Sequence, residues 1–199
     1  QAATWPRDIR VSINLSPVQF RNRRLLATIV SALEHSRLQP HRLQVEITES
    51  TLLDAGDHTL NMLRDLRELG VRVALDDFGT GYSSLNYLRK FPFDKIKIDK
   101  SFVDDIDQRE QSRAIVRAIM DLTTALGMST VAEGVETSSQ LATLRDLGCD
   151  EIQGYVISAA VENEVIPEML SANYELTIGD LVEPMDLELI DVAGAVAAA

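Results

Sequence analysis

Apolar and polar positions along this 199-residue chain alternate between two periods. Short runs rich in branched residues recur at Arg10–Leu15, Leu43–Thr48, Val71–Asp76, Lys95–Asp99, Ser129–Glu133 and Asp150–Gln153, and each predicts a β-strand. Helical spacing lies between them. Leu60, Leu63 and Leu66 recur every three residues within 59–69, and Ile115, Ile119 and Leu122 fall at i, i+4 and i+7 within 114–122, so both segments predict amphipathic helices. Gly70, Gly127 and Gly148 each follow a leucine-bearing stretch, where a left-handed helix C-cap is expected.

Strands alternating with helices through short connections imply right-handed crossovers and a parallel sheet. The fold class is therefore α/β, and two architectures compete. Asn14, Glu46, Asp76 with Asp77, Lys97 with Asp99, Glu133 and Gln153 each lie at or near the C-terminal end of a different expected strand. One polar contribution per strand, always at the same edge, is how a (β/α)8 TIM-type barrel builds its site, whereas a doubly wound sheet concentrates its site at a switch point. The barrel is the expectation. About six βα units are visible, so it is expected to be incomplete at the N-terminus. Residues 1–170 form the expected domain, and 171–199 a C-terminal acidic and apolar extension whose role the pattern does not assign. Within that extension Leu176–Glu183 reads as a strand or a partner contact, and the small-residue run 192–199 as a helical or disordered end.

Composition narrows the function. Nineteen basic residues stand against 31 acidic ones, a formal charge of -12, which argues against non-specific binding to DNA or to an anionic membrane. No apolar run approaches the roughly 18 to 20 residues of a membrane span, and the opening residues show no signal-peptide pattern. Cys149 is the single cysteine. An intramolecular disulfide is therefore impossible, and a cytoplasmic, reducing location is expected.

The doubled aspartate in Val73-Ala-Leu-Asp-Asp-Phe-Gly-Thr-Gly81 is the most informative local feature. Adjacent carboxylates at a strand end repel one another unless solvent or a cation neutralises them. With Asn14, Glu46 and Glu133 they make an oxygen-rich set suited to magnesium or manganese, and two ions about 3.5 to 4 Å apart can stabilise attacking and leaving oxygens in phosphoester cleavage. His35, His41 and His58 all fall away from strand ends and read as helix or loop surface. Lys97, between Ile96 and Ile98, is expected to point inward, either paired with Asp99 or a nearby glutamate or holding a phosphate. Glu136 and Glu49 have bland readings too, as a residue favoured by a helix N-terminus and as a capping-turn residue. Asp77-Phe-Gly79 matches a kinase tripeptide without its companions, and Gly79-Thr-Gly81 lacks the third glycine of a dinucleotide loop.

Taken in order, Ile13-Asn-Leu-Ser16, Glu46-Ile-Thr-Glu-Ser50, Asp76-Asp-Phe-Gly-Thr-Gly-Tyr-Ser-Ser84, Lys97-Ile-Asp99, Ala132-Glu-Gly-Val-Glu-Thr137 and Gln153-Gly-Tyr155 resemble the motifs of the EAL family. These are bacterial phosphodiesterases that open cyclic di-GMP to linear pGpG. The likeness runs from about residue 10 to 158. It implies that Asn14, Glu46, Asp76, Asp77 and Glu133 hold two Mg2+ or Mn2+ ions. It also implies that Glu133, Lys97, Asp76 and Asp77 serve catalysis and that Gln153 and Glu136 line the substrate pocket. Glu49 resembles the residue that steadies the Asp76–Ser84 loop, which in turn resembles the family's homodimer contact. Upstream sensory or GGDEF-type domains are expected partners. Two departures stand out: the Glu-Ala-Leu signature, whose glutamate is a metal ligand, should precede residue 1, and Ser158-Ala-Ala-Val161 lacks the usual proline. The second reading is therefore an impaired cyclic di-GMP-binding or dimerisation module. A third, argued from residues alone, is an enolase-like barrel with Lys97 as base.

Overall fold

The computed structural model describes residues 1–5, 9–53, 57–81, 85–171 and 190–191. Six strands, β1 (Val11–Asn14), β2 (Leu43–Thr48), β3 (Arg72–Phe78), β4 (Lys95–Ile98), β5 (Ser129–Ala132) and β6 (Glu151–Ile152), follow one another in the order β1-β2-β3-β4-β5-β6. The pairings β1–β2, β2–β3 and β5–β6 are parallel. Helices fill the connections: α1 (Pro17–Phe20), α2 (Leu25–Ser36), α3 (Glu49–Leu53), α4 (Asp57–Glu68), α5 (Leu85–Lys90), α6 (Lys100–Val103), α7 (Glu110–Ala125), α8 (Ser138–Leu147) and α9 (Ile166–Ser171). A two-residue strand pair, β7 (Ala159–Ala160) and β8 (Ile190–Asp191), stands apart from the main sheet order.

Every strand expected from the residue pattern is present, with ends that coincide or differ by at most two residues. The expectations for Leu176–Glu183, for 192–199 and for Tyr82, Ser83 and Ser84 lie outside the described residues. The chain divides into two compact units, Gln1–Ile96 and Lys97–Ala199, with the division inside β4.

In the first unit β2 is buried along its length except at Thr48, because a parallel strand is covered on both faces. Its odd-numbered face carries Val45 and Ile47, both fully buried. Its even-numbered face carries Gln44, Glu46 and Thr48. Helix α4 packs on β3 through its leucines, with Leu63 and Leu66 fully buried and Leu60 nearly so. Removing from water three leucines that an unfolded chain exposes stabilises the unit by about 1.5 to 3 kcal/mol each, as an upper estimate.

In the second unit α7 packs on β5, but the buried seam is not the one the spacing suggests. Val116, Ile119, Met120 and Thr123 are buried, while Ile115 and Leu122 are only half-buried and flank them. The seam is rotated by one residue because Thr123 donates its hydroxyl to the Met120 carbonyl at 2.9 Å and so tolerates burial that its polarity disguises. The C-cap expectation is met at Gly148, with φ of 85°, and Gly70 and Gly127 are also left-handed.

Candidate functional site

In the first unit, the parallel register sets the functional side chains. Asn14 lies opposite Glu46, Glu46 opposite Ala74, and Thr48 opposite Asp76. In a parallel ladder opposite residues share a face, so Asn14, Glu46 and Asp76 project from the same side of three neighbouring strands at their C-terminal ends. Glu46 and Asp76 are both buried and Asn14 is exposed. Glu46 accepts a hydrogen bond at 2.9 Å from Gln44 Nε2, which also donates to Ser12 Oγ at 3.0 Å. The expected site residues did not include Gln44. Its signal was the Gln-x-Glu spacing within one strand, which places both side chains on one face.

Asp77 has φ of +52°, a left-handed conformation that aspartate adopts at modest cost and most other residues avoid. This breaks the alternation of β3 at the doubled aspartate, so its two carboxylates need not project to opposite faces. One oxygen from each lies within 4.8 Å of the other. Beyond them the chain turns, with the Asp77 carbonyl accepting from the Thr80 hydroxyl at 2.9 Å.

Glu49, the first residue of α3, is buried. Its Oε1 accepts from the Gly79 amide at 2.9 Å and its Oε2 from the Gly81 amide at 3.0 Å. Glu49 therefore stands in the first turn of α3 and also makes contacts across 30 and 32 residues of sequence. A β-carbon at Gly81 would stand 2.5 Å from Glu49 Oε2, so glycine there lets the carboxylate approach.

In the second unit, Lys97 Nζ meets Glu133 Oε1 at 2.7 Å, with both side chains largely buried. Of the partners considered for Lys97, this is a glutamate and not Asp99. Asp99 instead caps α6, accepting from the Ser101 amide at 3.0 Å. The Glu133 amide donates to the Ile98 carbonyl at 3.0 Å and the Gln153 amide to the Ala132 carbonyl at 2.8 Å. Gln153 is thereby tied to the residue next to Glu133. Glu136 is exposed and engages Lys100, whose ammonium also meets Asp104 at 2.9 Å. The hydrogen bond that Lys100 donates to Glu136, then the one it donates to Asp104, holds its pKa above the ordinary value. The three histidines are exposed.

A model of the EAL domain family matches residues 1–160. The chain belongs to the EAL domain family. The uncharacterized protein y4lL of Sinorhizobium fredii is 47% identical over 90% of this chain and 22% of its own length. The cyclic di-GMP phosphodiesterase NbdA of Pseudomonas aeruginosa is 41% identical over 82% of this chain and 21% of its own. The chain spans about a fifth of the length of the curated relatives it matches. Among solved structures, the PaMucR phosphodiesterase in complex with c-di-GMP aligns with a TM-score of 0.70 at 41% identity, covering 73% of this chain and 59% of that one. Klebsiella pneumoniae BlrP1, in a manganese and cyclic di-GMP complex, aligns with a TM-score of 0.71 at 34% identity, covering 75% of this chain and 38% of that one. The fold is the α/β TIM-type barrel of EAL domains, with six of its strands among the described residues. No helix among those residues is long and apolar enough to cross a membrane.

Proposed function

We propose that this EAL domain hydrolyses cyclic di-GMP to linear pGpG, using two Mg2+ or Mn2+ ions held by Asn14, Glu46, Asp76, Asp77 and Glu133. The observation that carries the reading is the register of the first unit, which puts oxygen donors from three neighbouring strands on one face at one edge. The donor set fits hard divalent cations, since it is carboxylate and amide oxygen without histidine or thiolate. The manganese in the BlrP1 complex supports the same choice. Such ions, when bound, withdraw charge from the phosphodiester and lower the pKa of the attacking water.

The residues then divide the work. Glu133 takes a proton from the water as it attacks phosphorus, in line with the departing 3′-oxygen, so one P–O bond forms as the other breaks. Lys97, 2.7 Å from that carboxylate, orients it and places positive charge beside the phosphate oxygens. Gln153 and Glu136 line the pocket, and Glu49 steadies the turn that follows Asp77. A homodimer through the Asp76–Ser84 loop, a cytoplasmic setting and upstream sensory or GGDEF-type domains complete the proposal. The bifunctional relative MucR, whose name joins a diguanylate cyclase to a phosphodiesterase, is consistent with the last.

The test is manganese-dependent conversion of cyclic di-GMP to pGpG, followed by chromatography, in the natural chain and in Asp76→Asn. The variant should lose turnover while its circular dichroism is unchanged. Nucleotide binding without turnover in the natural chain would favour the binding-module reading instead.

A further inference from the structure

The segment Ala132–Glu136 carries two of the proposed site residues, and its middle is held by a side chain outside that set. Gly134 has φ of +67°, and a β-carbon there would stand 2.4 to 2.7 Å from Cβ, Cγ and Cδ of Lys100. The aliphatic stem of Lys100 therefore lies directly on the Gly134 backbone. From that seat its ammonium reaches Glu136 Oε1 at 2.5 Å and Asp104 Oδ1 at 2.9 Å. The backbone on either side is pinned separately, by the Glu133 amide on the Ile98 carbonyl at 3.0 Å and the Val135 amide on the Gln153 carbonyl at 3.1 Å. Lys100 itself follows Asp99 and opens α6, so its Cα position is set by a capped helix.

We propose that Lys100 is a positioning residue, whose stem on Gly134 and ammonium on Glu136 hold the Ala132–Glu136 segment, and through it Glu133, in working geometry. This rests on the functional reading above. An ordinary surface ion pair is the rival. Lys100 and Glu136 are 46% and 45% exposed, and such pairs contribute little to stability. Stability is consequently the wrong measure. What a surface pair does not require is a stem seated against the backbone that leads from Glu133. The left-handed φ alone accounts for glycine at 134, but the close approach of Lys100 uses the same missing β-carbon.

The experiment compares Lys100→Met, which keeps an apolar stem and removes the charge, with Lys100→Arg, Glu136→Gln and the Met/Gln double variant. All are made in the longest natural polypeptide containing this chain. Amide hydrogen exchange at residues 133–136 should quicken about tenfold in Lys100→Met. Under saturating manganese, kcat should fall about tenfold, the range seen when a group orienting a metal-site residue is lost. KM should stay within about twofold, and the melting temperature within a few degrees. Lys100→Arg should restore most of kcat. The double variant should be no slower than the slower single variant, because residues acting through one contact are not additive. Unchanged exchange in Lys100→Met, or losses in kcat that multiply in the double variant, would overturn the inference. An unmodified polypeptide without phosphodiesterase activity would refute the functional reading, and the exchange measurement then decides the positioning role by itself.

Discussion

Glu49→Gln isolates one contact of the turn that follows the doubled aspartate. Both carboxylate oxygens of Glu49 accept from backbone amides, at 2.9 Å from Gly79 and 3.0 Å from Gly81, in a buried position. Hydrogen bonds to a charged acceptor contribute about 1.5 to 3 kcal/mol each, against about 0.5 to 1.5 kcal/mol for neutral ones. Glutamine is nearly isosteric, yet its amide NH2 must face one of the two N–H groups, so one bond is lost and the other becomes neutral. The clamp then weakens by about 2.5 to 4.5 kcal/mol. If the turn opens locally, the loss appears in its own opening equilibrium and not in global unfolding. At 1.4 kcal/mol per factor of ten, protection of the Gly79 and Gly81 amides should fall by about 60- to 1600-fold. Hydrogen exchange followed by NMR reads those two amides directly. Gly81→Ala provides an independent approach, since its β-carbon would stand 2.5 Å from Glu49 Oε2. Protection unchanged in both variants would refute the clamp.

Asp150→Ala should lower stability by about 1 to 3 kcal/mol, seen as a fall in melting temperature, because the Thr130 amide and hydroxyl lose an acceptor at 2.7 and 2.9 Å. Lys97→Met should cut kcat by about 100- to 1000-fold, as when a preorganised donor to a developing charge is removed, with the melting temperature checking that the fold survives. Burial raises the Cys149 pKa, so its thiol should react with a disulfide reagent far more slowly in the native chain than in denaturant. The neutral thiol is favoured in the folded state. Its contribution to stability is therefore complete at neutral pH and declines once pH rises past the thiol's ordinary pKa, which a titration of Cys149→Ser against the natural chain would reveal as a stability difference that is constant at neutral pH and changes only in the alkaline range.

Much of this was legible because chemistry and periodicity coincide. Glu46, Asp76, Lys97 and Glu133 each sit where a run of branched residues ends, and the structure puts a strand at every one of those runs. What periodicity could not show was which side of a strand faces which neighbour. Gln44 was passed over because buried glutamine inside a strand looks like an exception until the register sets it beside Ser12 and Glu46. The α7 seam was displaced by one residue because Thr123 counts as polar by composition and is buried through an intrahelical hydrogen bond. The left-handed Asp77 has a weak local signal, since aspartate tolerates that conformation without requiring it. Glu49 and Lys100 act over about 30 residues of sequence, on Gly79 and Gly81 and on Glu136. No local pattern encodes such a distance.

The two ends of the strands answer to different demands. Asp94 immediately precedes β4 and accepts from the Val73 amide at 2.9 Å, near the start of the preceding strand β3. Asp150 immediately precedes β6 and accepts from the Thr130 amide at 2.7 Å, near the start of β5. The same device thus appears in both units, each time at a strand's entry. Each aspartate fastens a loop to a strand start, and Asp94 is further neutralised by Arg67 and Arg72 at 3.0 and 3.1 Å. At the exits, by contrast, Asp76 and Asp77 stand side by side, so like charge accumulates. In a barrel of this kind the C-terminal edge carries the chemistry and the opposite edge carries stability. Exchanging Asp94 for asparagine should accordingly lower the melting temperature and leave kcat within about twofold, whereas Asp76→Asn should do the reverse. A catalytic defect in Asp94→Asn at temperatures where it remains folded would mean that this division of labour between strand ends is wrong.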